Sequence, residues 1–379
     1  MAAATISPAL PGLAAKFADN PDAEFLVRML VPAPALAIVL FASIAGWITD
    51  RLGRRRPLLI GLLLFAIAGS AGLYLPDLNA ILASRFILGL AMALIMTAET
   101  SLVGDSFNGE QRKMFTGWQI AATNFGGFLF IAFASWLTGF DPRLAFAVYL
   151  VPLIYIPVVW CAVRPENSKV LRNNEQECGE TDKARDWVPI MLFTTLLTMA
   201  SVMCFFMMPT QFPFYAGTLG LNVAQTTGIG LGALTLVGGL VALFNGPLTR
   251  RIGIGGGLSL GFALMAGGYF LLATASGLAG VIAGSAAIGA GFSTLRPAFI
   301  LLTLDAAPAH RRGLASGAMA TGMFLGQFLS PVAFSPMIST AGYAVTFLTV
   351  CALLTAAGTV ALAVRLTMIV RSRVRHPAS

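Results

Sequence analysis

Ionisable residues inside apolar runs are where this sequence could do chemistry. Arg85, Glu99 and Arg296 each sit within a long hydrophobic stretch. A charge at such a position is costly and faces protein or a water-filled path, so it marks a route for a proton or a charged solute. A second concentration lies in GWITDRLGRRRPLLIG, Gly46 to Gly61, where Asp50, Arg51, Arg54, Arg55 and Arg56 crowd together in a chain only 11% charged. Other chemistries fit poorly. The four cysteines (Cys161, Cys178, Cys204, Cys351) match no metal or disulfide spacing, and the two histidines, His310 and His376, both lie beside basic loops. The run IGIGGG, Ile252 to Gly257, has no strand before it and reads as a turn, not a phosphate loop. The sequence therefore predicts no metal, no cofactor and no enzyme.

The elements that must position these residues are membrane helices. The hydrophobic fraction is 57% and the mean hydropathy +0.82. Apolar residues go all the way round for roughly 18 to 25 positions at a time, the length a helix needs to cross hydrocarbon. Barrel strands would be shorter and alternating. The fold class is an all-α polytopic membrane protein. Helices are predicted near 29–49, 57–75, 80–104, 113–137, 143–163, 188–215, 222–247, 253–275, 277–303, 312–338 and 342–368. The polar segment 164–187 separates an N-terminal bundle, 1–163, from a C-terminal bundle, 188–368, and a basic tail, 369–379, follows.

Charge gives orientation. The net charge is +8, which in such a chain reflects Lys- and Arg-rich cytoplasmic loops and not nucleic acid. Nineteen of the 24 Lys and Arg fall on the side of the Gly46 loop, the central linker and the C-terminal tail. Three (Lys16, Arg28, Arg143) fall on the other side, and two (Arg85, Arg296) lie inside spans. The expected location is a cell's inner membrane with linker and C terminus cytoplasmic. By itself the Arg cluster supports only a topology anchor.

The halves repeat. A shift of 200 positions aligns Gly46, Thr49, Arg51, Gly53, Leu58 and Gly61 with Gly246, Thr249, Arg251, Gly253, Leu258 and Gly261. Ala83, Gly89, Leu102 and Asp105 meet Ala283, Gly289, Leu302 and Asp305; Arg112, Gly117, Gly126 and Phe128 meet Arg312, Gly317, Gly326 and Phe328. Parallel repeats about an axis along the membrane normal are a recurring plan in secondary transporters. The repeat also predicts that the first helix, TISPALPGLAAKF, is incomplete at its N terminus, through a misplaced start or a truncation.

At this point Gly46-x-x-x-Asp50-Arg51-x-Gly53-Arg54-Arg55 resembles the signature between the second and third helices of the major facilitator superfamily. Gly246-x-x-x-Arg250-Arg251-x-Gly253 is similar to the decayed copy that superfamily carries in its second half. The resemblance implies two six-helix bundles related by a pseudo-two-fold axis. Gly46 would let two helices approach closely, and Gly53 would permit a tight turn. Asp50 would meet the N-terminal end of the helix opening near Arg312, and Arg54 would pair with Asp105, latching the halves on the cytoplasmic side. Arg112 and Arg312 belong to the same loops. Arg85-x-x-x-Gly89 resembles an element that drug:proton antiporters use in proton coupling; the alternative is an arginine that snorkels to water. The fifth helix lacks the proline-containing pattern of such antiporters.

By the same resemblance, helices one, four, seven and ten line a central cavity. Arg296 matches Met96 in the repeat, within about one turn of Glu99, so the two charges are expected at similar depth. There they would hold an anionic substrate and a proton, or form a static ion pair. Met199, Met203, Phe206 and Met207 recur at helical spacing, which suits either apolar ligands or ordinary packing. Gln211 and Asn124 are candidate polar contacts. The expected function is secondary active transport of small organic molecules, proton-coupled efflux by a monomer in the lipid bilayer. The alternatives are uptake symport of an organic anion and a non-transporting sensor on the same scaffold.

Overall fold

The computed structural model describes residues 4–107, 109–162, 187–308 and 311–375, and no strand occurs among them. In the first half a 3-10 turn, Ser7–Ala9, leads into α1 (Leu10–Lys16). The helices α2 (Ala23–Met29) and α3 (Ala33–Leu52) form one span bent by 43°. Next come α4 (Arg55–Gly69) with a 3-10 turn Ser70–Leu73, then α5 (Leu78–Ser106) and α6 (Gly109–Thr138). A 3-10 stretch, Pro142–Ile154, continues as α7 (Tyr155–Ala162). The second half holds α8 (Trp187–Thr218), α9 (Val223–Ala273), α10 (Leu278–Ala306) and α11 (Arg312–Arg375).

Two of these helices are each two spans. A described apolar stretch of 51 residues in α11 would run to about 76 Å, more than twice the hydrocarbon thickness. It turns back at Gly342, whose φ of 77° only glycine adopts readily. The second helix, α9, turns at Gly253 in the same way. By length and composition, eight helices among the described residues can cross a membrane, or nine with the bent pair counted. That is fewer than the sequence predicts because α11 counts as one helix and because the described apolar part of α6 is Ala122–Thr138.

Caps and small residues explain where elements start and how they meet. Asp77, Asp141 and Asn222 accept from the backbone N–H of Ala80, Arg143 and Gln225 and so begin α5, the 3-10 stretch and α9. Glycines then set the helix–helix distances, and they do so twice. A Cβ on Gly89 would strike the carbonyl of Pro34; a Cβ on Gly289 would strike that of Leu234, 200 positions on. Gly61 abuts Ile95 and the carbonyl of Ala91, while Gly261 abuts Leu295 and the carbonyl of Gly291. Such close approach is how helices pack without a hydrophobic driving force between them. Each half has its own apolar core, one around Leu30, Leu88, Phe146 and Tyr149, the other around Phe212, Phe262, Tyr269 and Phe299.

Candidate functional site

The basic loop between α3 and α4 is built by Gly53, at φ 74° and ψ 170°, and its repeat partner Gly253 has φ 69° and ψ 171°. The turn delivers Arg54 to the end of α5, where its Nε donates to Asp105 Oδ2 at 2.9 Å. Arg55 donates to the carbonyl of Trp160 at 2.7 Å and lies over that indole ring. Arg51 lies over Trp47 of its own helix, 4.1 Å from the ring centroid. All these partners belong to the first half. The pair Arg54–Asp105 thus ties α4 to α5 and does not by itself bridge the halves, as the latch expectation had it. Arg251 is exposed. The side chains of Asp50, Arg112, Arg250 and Arg312 lie outside the described residues.

Gly46 corrects another expectation. No atom of the described residues comes within 4 Å of a Cβ placed there, and the same holds for Gly246, Gly313 and Gly317. Close helix approach was expected at Gly46, and among the described residues none occurs there. Side-chain contacts between halves lie further along. Phe324 packs with Ile38 and Ala93, Asn124 abuts Gly239, and Phe128 abuts Gly232. Ser135 Oγ donates to the carbonyl of Ala224 at 2.7 Å, and Arg28 sits over Phe214, 4.4 Å from its centroid. Among the described residues the side-chain contacts between halves therefore run from mid-depth to the Lys16 end.

Arg85 does not snorkel. It is completely buried, donating through Nη2 to the carbonyls of Ala68 (3.0 Å) and Gly69 (2.7 Å). Those are last-turn carbonyls of α4, at the negative end of the helix dipole. The guanidinium also faces the Phe146 and Tyr149 rings at 5.0 and 5.2 Å. Gly89, four residues on, is the close contact with α3 already described.

Glu99 is half-buried and accepts from Gln119 Nε2 of α6 at 2.7 Å. Arg296 is exposed on α10. Among the described residues Arg296 has no ion-pair or hydrogen-bond partner, so the static pair with Glu99 does not form here. Met207 and Gln211 are buried in the second-half core, with Gln211 Nε2 donating to Ser335 at 2.9 Å. Neither lines open space, contrary to expectation. Met203 is partly buried against the same core, and Asn124 is half-buried where α6 meets α9.

Three contacts escaped sequence reasoning: Gln119 on Glu99, Trp160 on Arg55 and Phe214 on Arg28. The first had a signal. Glu99 and Gln119 stand at similar distances before and after the short connection at 107–108, so antiparallel helices bring them to one level.

The decisive comparison is at the family level: the model described as Major Facilitator Superfamily matches residues 1–331. The chain belongs to the major facilitator superfamily. Multidrug resistance protein 1 of Bacillus subtilis (strain 168) is 22% identical over 312 residues, 81% of this chain and 79% of that protein. An uncharacterized MFS-type transporter, YdgK, of the same organism is 28% identical over 138 residues, 34% of each chain. The D-xylose transporter of Levilactobacillus brevis is 29% identical over 166 residues, 41% of this chain and 34% of that one. The chain thus spans about a third of the length of some of these superfamily relatives and four fifths of another. In fold, a crystal structure of a mutant of peptide transporter POT in complex with sulfate superposes with a TM-score of 0.75 at 16% identity, covering 96% of this chain and 91% of that one. The superfamily fold is thereby shown.

Proposed function

We propose that this chain is a transporter that exports small organic molecules in exchange for protons by alternating access, with Glu99 as the proton carrier. The observation that carries the reading is the neutral donor on Glu99, Gln119 Nε2 at 2.7 Å. Among the described residues no cation pairs with Glu99, and the amide orients its carboxylate for proton transfer. Arg85, enclosed by protein and bonded to two carbonyls, is a structural residue and lies off this route. The relative named Multidrug resistance protein 1, matched over most of its length, supports export. In this reading the protein is a monomeric non-enzyme of a cell's inner membrane, with its arginine-rich face in the cytoplasm.

Arg54–Asp105 then holds the ends of α4 and α5 together while the halves rock. The unpaired guanidinium of Arg296 favours a second reading, uptake of an organic anion with a proton. Proton movement in inverted vesicles separates the two. Addition of a lipophilic cation is expected to dissipate a dye-reported pH gradient in the parent protein and to fail in Glu99→Gln. Full coupling in Glu99→Gln removes Glu99 from the role. A response to organic acids alone selects symport, and silence across both classes with the protein in the membrane selects the sensor.

A further inference from the structure

The helix α2 is only seven residues long and is set at 43° to α3. The break spans Leu30, Val31 and Pro32, with Pro34 in the first turn of α3. Proline removes a backbone donor and favours such a break. The short piece carries Glu24 and Arg28, an i,i+4 ion pair, at the end of the molecule where the halves meet. Arg28 is 8% exposed and leans across the boundary onto the ring of Phe214 in α8, 4.4 Å from its centroid. Phe214 in turn packs against the first-half core. Tyr343, at the start of the second arm of α11, stands beside Arg28 and Glu24. Behind it an aromatic set continues through Tyr215 at 5.5 Å and Phe347 at 6.0 Å. Deeper along the boundary, Ser7 is completely buried, and its Oγ has no hydrogen-bond partner among the described residues. A buried hydroxyl without a partner costs free energy that water would restore.

We propose that α2 is the gate at the Lys16 end: Arg28 pins it shut against Phe214, and it swings at Leu30–Pro32 when the halves rock. The pin joins a first-half cation to a second-half aromatic face, a contact whose strength rises on exclusion of water. The same motion wets Ser7. Opening of this end is therefore set by a contact separate from the arginine-rich loop at the opposite end. The proposal rests on the alternating-access reading, but its test needs neither substrate nor proton gradient, so the two fail separately.

The test is labelling of a Ser7→Cys reporter in the full chain, with Cys161, Cys178, Cys204 and Cys351 replaced by serine. A membrane-impermeant maleimide is applied to intact cells and, separately, to inverted vesicles. Slow labelling from the Lys16 face is expected in the parent, and acceleration of roughly fivefold or more in both Arg28→Ala and Phe214→Ala. Arg28→Lys, which keeps a cation over the ring, is expected to stay within about twofold of the parent. The two alanine variants lie on different halves, so general unfolding of one cannot imitate both results; size-exclusion profiles check each. Unchanged rates in either alanine variant, or acceleration in Arg28→Lys equal to that in Arg28→Ala, overturn the pin.

Discussion

At position 85 the first half buries an arginine; 200 residues on, the second half buries Ser285. The surroundings differ to match. In the first half Gly69 leaves room for the Tyr149 ring, and Gly72 for Phe146, while Arg85 bonds to the carbonyls that end α4. In the second half position 269 is a tyrosine. It fills the space itself and donates its hydroxyl to the carbonyl of Cys204, with Phe347 against it at 5.8 Å. Elsewhere the halves agree to the residue, as Gly61 with Gly261 and Gly89 with Gly289 show. A repeated backbone scaffold therefore persists where helices touch through glycine. Larger side chains settle what remains of the space, by a bonded cation in one half and an aromatic cluster in the other.

The sharpest way to break this comparison is at the matched pair. Arg85→Ala leaves a cavity and two carbonyls without their donor, and is expected to cost about 3 kcal/mol or more. Ser285 Oγ has no partner among the described residues, so Ser285→Ala is expected to stay within about 0.5 kcal/mol. Thermal unfolding of both in detergent reads the difference. Equal effects would mean that Arg85 is no staple.

A second contrast concerns Gly126 and Gly326. Gly326 abuts the Met199 backbone, whereas nothing lies within 4 Å of a Cβ on Gly126. Likewise Gly322 abuts Thr195, whereas its counterpart Ala122 is exposed. Gly326→Leu is therefore expected to destabilise by roughly 2 to 3 kcal/mol, and Gly126→Leu by about 0.5 kcal/mol or less. Melting temperatures decide it, and a large loss at 126 would show that the groove beside α6 is filled in the folded protein.

The smallest effect is electrostatic and belongs to the first half alone. Lys16 Nζ meets Asp141 Oδ2 at 2.7 Å, where the second half has Ala216 and Ala341. That hydrogen bond first, and then the backbone N–H of Arg143, holds the Asp141 carboxyl below its ordinary 3.8. A lowered folded value stabilises above the ordinary one, and the benefit fades as pH falls through the lowered one. Both side chains are some two-fifths exposed, so solvent screening keeps the gain small. Asp141→Asn is expected to lower the melting temperature slightly from neutral pH down to about 5 and not at all well below about 4. A gap that persists in acid would assign the effect to something other than this carboxylate.

Much of the architecture was legible because hydrocarbon leaves a helix few alternatives. Apolar run length marks the spans, and loop Gly and Arg mark both the turns and the 200-residue repeat. The site was less legible. Arg85, Met207 and Gln211 look alike in sequence as polar or soft groups within spans, yet all three are buried in packing. Arg296 is exposed. Nothing in helical periodicity tells these apart, because every face of such a helix is apolar and the partner at each face belongs to a distant element.

The sequence by itself determined that this is a two-half helical membrane protein of the transporter superfamily, with turns at Gly53 and Gly253 that only glycine adopts readily. Tertiary structure alone decided which charges are satisfied and which are free. Arg54 has Asp105, Arg85 has a helix end, Glu99 has an amide, and Arg296 stands unpaired among the described residues. It also decided where the two halves touch. Pairing and contact are set by distances between helices far apart in the chain, and local composition does not carry those distances.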